Sequence, residues 1–210
     1  MTGGRETVLR RVREALAAAP APPAVPRDYR RGGELSRDAL IDLLVDRLEE
    51  TGARVVRADA PAAVIADELR RLAVASVVVD PALPQALRPA GVEVREDHGL
   101  PASALDELGG AVTTCLGVCA ETATIAFDGG PGQGRRAITL VPDVHVCVVE
   151  TEQVVETVPE LVARLEPSAC AGRALVLVSG PSATSDIEFQ RVEGVHGPRT
   201  LVVVLVDKQP

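Results

Sequence analysis

At 210 residues the chain is long enough for one sizeable domain with an appendage. Hydrophobic residues make up 46% but aromatics only 1%, so the core must come from Leu, Val, Ile and Ala, and almost no aromatic surface is left for stacking on bases. A formal charge of -8 repels nucleic acid and anionic membranes, and the single lysine, Lys208, lies too near the end of the chain for Schiff-base or pyridoxal-phosphate chemistry.

Residues 5 to 18 carry Val8, Val12 and Leu16 on one face among arginines and glutamates, the spacing of an amphipathic helix. Pro20, Pro22, Pro23 and Pro26 then form a stiff linker that no helix can cross. The start of the chain is charged and has no apolar signal-peptide core, and no apolar run reaches membrane-spanning length. A reducing cytoplasm is the expected compartment. The expected organisation is a helix and linker over 1–30 followed by an α/β domain over 31–210.

Ser36 is placed to cap a helix that runs through Leu40, Leu44 and Leu48 to Gly52. A strand at 54–56, a helix at 61–72, a strand at 75–79, a short helix at 84–87 and a strand at 92–94 follow. Residues 111–118 and 122–127 are apolar, with a gap too short for a helix. The glycine-rich stretch 129–134 reads as a flexible loop, with strands expected at 137–140 and 145–149. A helix carrying Val154, Val158, Leu161 and Leu165 precedes β-branched runs at 174–178 and 201–206. This alternation predicts a mainly parallel sheet covered on both faces, with an antiparallel or irregular portion between 111 and 149.

Polar and glycine-rich residues gather in Ser179-Gly180-Pro181-Ser182-Ala183-Thr184-Ser185-Asp186-Ile187-Glu188 and in Gly194-Val195-His196-Gly197-Pro198-Arg199. Such residues at strand ends are where open α/β folds place ligands. Ser185 and Glu188 have the spacing of a capping box, and the hydroxyls of Ser182 and Thr184 could join backbone N–H groups around an anion. Asp186 and Glu188 would repel such an anion, so a well-capped loop explains the stretch equally. His196 near those carboxylates could work as an acid or base, or bond only to backbone. Arg199 could grip a carboxylate or pair with Asp186 or Glu188. Glu121 and Thr122 fall in a turn between strands, where a glutamate is either a nucleophile or base or a solvated turn residue.

Cys115 and Cys119 are four apart and Cys147 and Cys170 isolated, spacings that fit neither structural zinc nor iron–sulfur sites. No cluster or metal is expected in this chain, and His145 is expected to be a satisfied buried histidine. The glycine stretch 129–134 matches neither a phosphate-loop nor a dinucleotide fingerprint.

G-P-S-x-T-x-D-I-E at Gly180 to Glu188, G-V-H-G-P-R at Gly194 to Arg199, the A-E-T turn at Glu121 and P-D-x-H at Pro142 to His145 together resemble the LUD-domain family. The family often has glycine after A-E-T, where this chain has Ala123, and reads T-A-D where this chain has Thr184-Ser185-Asp186. The resemblance implies a three-layer α/β/α fold similar to the sugar-phosphate isomerase and CoA-transferase group, with an N-terminal helical extension. It also implies a part in oxidising L-lactate to pyruvate beside two partner proteins that carry the iron–sulfur clusters. It carries over no catalytic residue. Two other readings stay open: a free-standing transferase or isomerase acting on a CoA ester or sugar phosphate, with Glu121, His196 and Arg199 as its groups, and a metabolite-sensing module.

Overall fold

The computed structural model describes residues 3–17, 23–184, 192–194 and 197–207. By its internal contacts the chain divides into two units, Met1–Arg30 and Arg31–Pro210. The first contains helix α1 (Gly4–Leu16), none of whose residues is buried; Val8, Val12 and Leu16 are all exposed.

The second unit is built on a six-stranded sheet. Its strands are β1 (Arg54–Arg57), β2 (Ser76–Val79), β3 (Glu93–Glu96), β4 (Gly110–Thr113), β7 (Val144–Glu150) and β12 (Thr200–Val206), in the order β1-β12-β7-β4-β2-β3. All five pairings are parallel. The central strands β7 and β12 are valine runs because both of their faces are covered. Val144, Val146, Val148, Val202 and Val204 pack with Ile65 and Leu69 of helix α3 (Pro61–Arg71). Cys147, Val149, Leu201, Val203 and Leu205 face the other way, onto Leu40, Ile41, Leu44 and Leu48 of helix α2 (Arg37–Glu50).

That second face is also covered by a smaller sheet, which extends the expected helix–sheet–helix layering. It comprises β5 (Gly117–Cys119), β6 (Thr124–Phe127), β8 (Val154–Val155) and β9 (Val176–Val178), in the order β8-β5-β6-β9. The β5–β6 and β6–β9 pairings are antiparallel, which supplies the antiparallel portion expected downstream of residue 111. Helix α5 (Val158–Cys170) closes its outer side through Leu161 and Leu165. Short helix α4 (Ala102–Asp106) packs Leu105 beside Val78, Ala111 and Ile138. A two-stranded ribbon, β10 (Ala183–Thr184) with β11 (Val192–Glu193), completes the elements.

Ser36 caps α2 as expected: its hydroxyl accepts from the Ala39 N–H at 3.4 Å. Thr157 and Glu160 form a capping box on α5. Three helices end on the same pair of backbone bonds, from the two residues after the cap to the helix's last turn. For α2 these are Gly52 N–H to Glu49 O and Ala53 N–H to Leu48 O; for α3, Ala73 N–H to Arg70 O and Val74 N–H to Leu69 O. In α5 they run from Gly172 to Ala169 and from Arg173 to Ser168. The motif needs a left-handed residue at its first position. Gly52 (φ 88°) and Gly172 (φ 73°) meet that need freely, whereas Ala73 (φ 55°) does so under strain.

Three expectations require correction. Residues 136–139 form a 3-10 helix, not a strand, because Arg136 and Thr139 bond to one another across one turn. Val154 belongs to β8 and not to the following helix, which begins at Val158 after the Thr157 cap. The short helix expected at 84–87 is present as a 3-10 helix over Gln85–Leu87. The glycine stretch 129–134 is pinned: buried Gln133 accepts from the Asp128 N–H at 2.8 Å, Asp128 accepts from the Gly130 N–H at 3.0 Å, and Asp80 accepts from the Gly132 N–H at 3.0 Å. Asp128 is in turn held by Ser168 at 2.6 Å and Arg173 at 3.1 Å.

Candidate functional site

Where β9 ends, the chain turns through Ser179 to Ser182 and comes against the segment Gly197–Pro198 that leads into β12. The Ser182 N–H donates to the Pro198 carbonyl at 2.8 Å, and the Gly194 N–H donates to the Ser182 carbonyl at 3.0 Å. Gly180 (φ 98°) lets this turn lie on the end of α2, since a Cβ there would stand 2.7 Å from Thr51. Between the two segments and the start of β7 lies a cleft of about 220 Å³. Arg136, Thr139, His145, Ser179, Ser182 and Pro198 line it, with Val178, Pro181 and Leu201 adding apolar wall. It opens at the carboxyl end of β9 but at the amino ends of β7 and β12.

Arg136 is the only charged side chain among the described residues of that lining. Its Nη1 donates to Thr139 Oγ1 at 2.9 Å, and among the described residues no carboxylate pairs with it. Arg136 is exposed, and partial desolvation of its guanidinium holds its pKa below the usual arginine value. Its neighbour Arg135 is engaged elsewhere. It clasps the buried Asp97 carboxylate through Nε at 2.6 Å and Nη2 at 3.0 Å, and also donates to the Leu100 carbonyl.

His145 is buried between the two sheets, with Nε2 2.8 Å from Thr113 Oγ1 and its ring 5.8 Å from that of Phe127. Burial first, and then the positive charge of Arg136, lower its pKa to about 4, so it is neutral at pH 7. The expected buried and satisfied histidine is therefore also a wall of the cleft.

A chain of hydroxyls joins this region to the A-E-T turn. Thr122 Oγ1 lies 2.7 Å from Thr124 Oγ1, which lies 2.8 Å from Ser179 Oγ. The register of β6 against β9, Ile125 opposite Val178, puts Thr124 and Ser179 side by side. Ser179, Gly180 and Ser182 are thus brought together at the cleft and Thr122 is linked to them. Glu121 is half-buried with its N–H donating to the Glu156 carbonyl at 3.2 Å, and it is not among the cleft's lining residues. Arg199 is exposed and pairs with Asp143 at 3.7 Å, beside a separate hollow with Leu72 and Glu107. Thr184 lies in β10, while Asp186, Glu188, His196 and the Ser185–Glu188 box fall outside the described residues.

Arg136, Thr139 and Thr124 were not among the sequence candidates. Arg136 follows the glycine stretch in the sequence, but the chemistry that distinguishes it from Arg135 is which of the two finds a carboxylate. Among the described residues, no group of three or more His, Cys, Asp or Glu is arranged to hold a metal ion; Cys115, Cys119 and Cys147 are buried and Cys170 exposed, all unbridged. No helix among the described residues is long and apolar enough to cross a membrane.

The segment 106–206, which contains every lining residue of the cleft, matches the LUD domain. The chain is 39% identical over 204 residues to lactate utilization protein C of Deinococcus radiodurans, across 95% of this chain and 93% of that protein. A crystal structure of a DUF162 family protein from Deinococcus radiodurans superposes with a TM-score of 0.72 at 33% identity, covering 82% of this chain and 99% of that one. Lactate utilization protein C of Bacillus pumilus is 36% identical over 94 residues, 43% of this chain and 39% of that protein. The fold is that of a LUD-domain α/β protein. Within that class the chain belongs to the lactate utilization protein C family.

Proposed function

We propose that this chain serves lactate utilization as the subunit without an iron–sulfur cluster in an L-lactate-oxidising system. The observation that carries this reading is similarity to lactate utilization protein C of Deinococcus radiodurans along nearly the whole of both chains. In this reading lactate gives up two electrons and two protons to become pyruvate, and the electrons pass to iron–sulfur partner proteins in a reducing cytoplasm. This chain contributes the cleft at Arg136 and Ser179 as its working surface. The enzyme alternative that placed Glu121 at the reacting centre gains nothing from the geometry, since Glu121 does not line the cleft.

The test is affinity capture of the tagged chain from its host grown on lactate. Co-recovery of iron–sulfur proteins, with dye reduction that depends on L-lactate, is the expected result. Recovery of the chain alone, from a host whose growth on lactate survives its deletion, sinks the reading.

A further inference from the structure

We propose that the cleft between the Ser179–Ser182 turn and the Gly197–Pro198 segment binds a small monocarboxylate, gripped by the guanidinium of Arg136. The inference rests on the cleft being the working surface, as proposed above, and not on the identity of any partner protein.

Three observations lead there. The first is charge. Among the described lining residues there is one cation and no carboxylate. Arg136 spends one donor nitrogen on Thr139 and has no described acidic partner, so the remaining N–H groups of its fork are left for a guest. A guanidinium that faces a cleft without a described counter-ion is a group that an anion would pair with. The neutral imidazole of His145 adds a polar wall and no second charge. Counted over the described residues, that one positive charge is matched by a monocarboxylate.

The second is size. A volume of about 220 Å³ falls below the roughly 300–1,000 Å³ of sites that hold drug-sized ligands. That is room enough for a few-carbon acid.

The third is the pattern of the wall. Ser179 and Ser182 line the same cleft as Val178, Pro181 and Leu201. A short acid carrying one hydroxyl or keto oxygen and a small alkyl end meets both kinds of surface. A polyol or a sugar phosphate would set polar groups against the apolar wall, at a cost for each one left unpaired.

The test is titration of the purified full chain, followed by its thermal shift and calorimetry, with sodium L-lactate, pyruvate, acetate and inorganic phosphate as separate probes. Saturable binding of lactate or pyruvate in the millimolar range is expected, tighter than phosphate. Arg136→Gln should weaken it at least about tenfold, the loss of one charge-assisted hydrogen bond, and Arg136→Lys should restore part. Ser182→Asp, which puts a like charge in the cleft while leaving Arg136 in place, should abolish binding with the melting curve of the free protein retained. Three results overturn the inference: no saturation by either acid below about 50 mM, equal binding by Arg136→Gln, or phosphate binding tighter than both acids. Because the titration needs no partner, its failure is separable from failure of the capture experiment.

Discussion

Ser179 Oγ lies 2.8 Å from Thr124 Oγ1, and through that contact the turn at the mouth of the cleft is fastened to the turn carrying the A-E-T motif. The two residues are 55 positions apart and meet only because β6 and β9 pair antiparallel. Neither hydroxyl is deeply buried, so the bond holds the geometry of Ser179 more than it stabilises the fold.

Thr124→Val should therefore separate the two roles. Valine suits a strand position as well as threonine does, and the melting free energy should change by no more than about 0.5 kcal/mol. Lactate-dependent growth of a deletion strain complemented with the variant should fall. The check is growth rate against melting temperature for the same allele; normal growth would make the contact a fastening only.

Acid should loosen the protein in a defined window. His145 titrates near 4 when folded, against about 6.5 for a histidine in an unfolded chain. Between those values the unfolded state binds the extra proton, so stability is full above about pH 6.5 and is lost as pH falls toward 4. The lowered value corresponds to a loss of about 3 kcal/mol across the window. Urea melts at pH 7, 5.5 and 4.5 would show it, and the slope should flatten in His145→Gln, which cannot titrate.

The end of α3 offers a stabilising change. Ala73 is exposed and holds the left-handed conformation that Gly52 and Gly172 hold at the ends of α2 and α5. Ala73→Gly removes the Cβ strain, partly offset by greater freedom of the unfolded chain. A net gain of roughly 0.5 kcal/mol is expected, or about 1–2 °C in melting temperature for a domain of this size.

Removing residues 1–30 should leave the melting transition of the 31–210 unit in place, because α1 buries none of its residues. Recovery of partner proteins in the capture experiment should drop. A truncated chain with a broadened, non-cooperative melt would overturn this expectation.

The sequence made the framework readable where one force dominates. The valine runs of β7 and β12, the Ser36 cap and the Gly52 stop all follow from local patterning and occur as expected. Residues 137–140 misled because a short, mostly apolar run fits a strand or a tight helical turn equally, and only the Arg136–Thr139 bonds decide between them. The cleft was half legible. Ser179, Gly180 and Ser182 stand out as turn residues after a strand, whereas Arg136 is one arginine among many. Its distinction from Arg135 lies in Asp97, which claims one guanidinium and leaves the other. Arg199 pairs with Asp143, brought to it by the parallel start of β7 and β12, while Asp186 and Glu188, its other possible partners, lie outside the described residues.

The position of β12 sets the order in which the molecule can be assembled. It is hydrogen-bonded on one side to β1 and on the other to β7, with Val202 opposite both Arg54 and Val146. Until residues 200–206 have left the ribosome, β1 has no strand to lie against and the central sheet has a gap one strand wide. The valine faces of β7 that β12 will cover stay open for that time. Pairings between residues so far apart close slowly, and unpaired apolar edges invite wrong partners. Before β12 arrives the growing chain is thus most exposed to misassociation at the edges of β1 and β7.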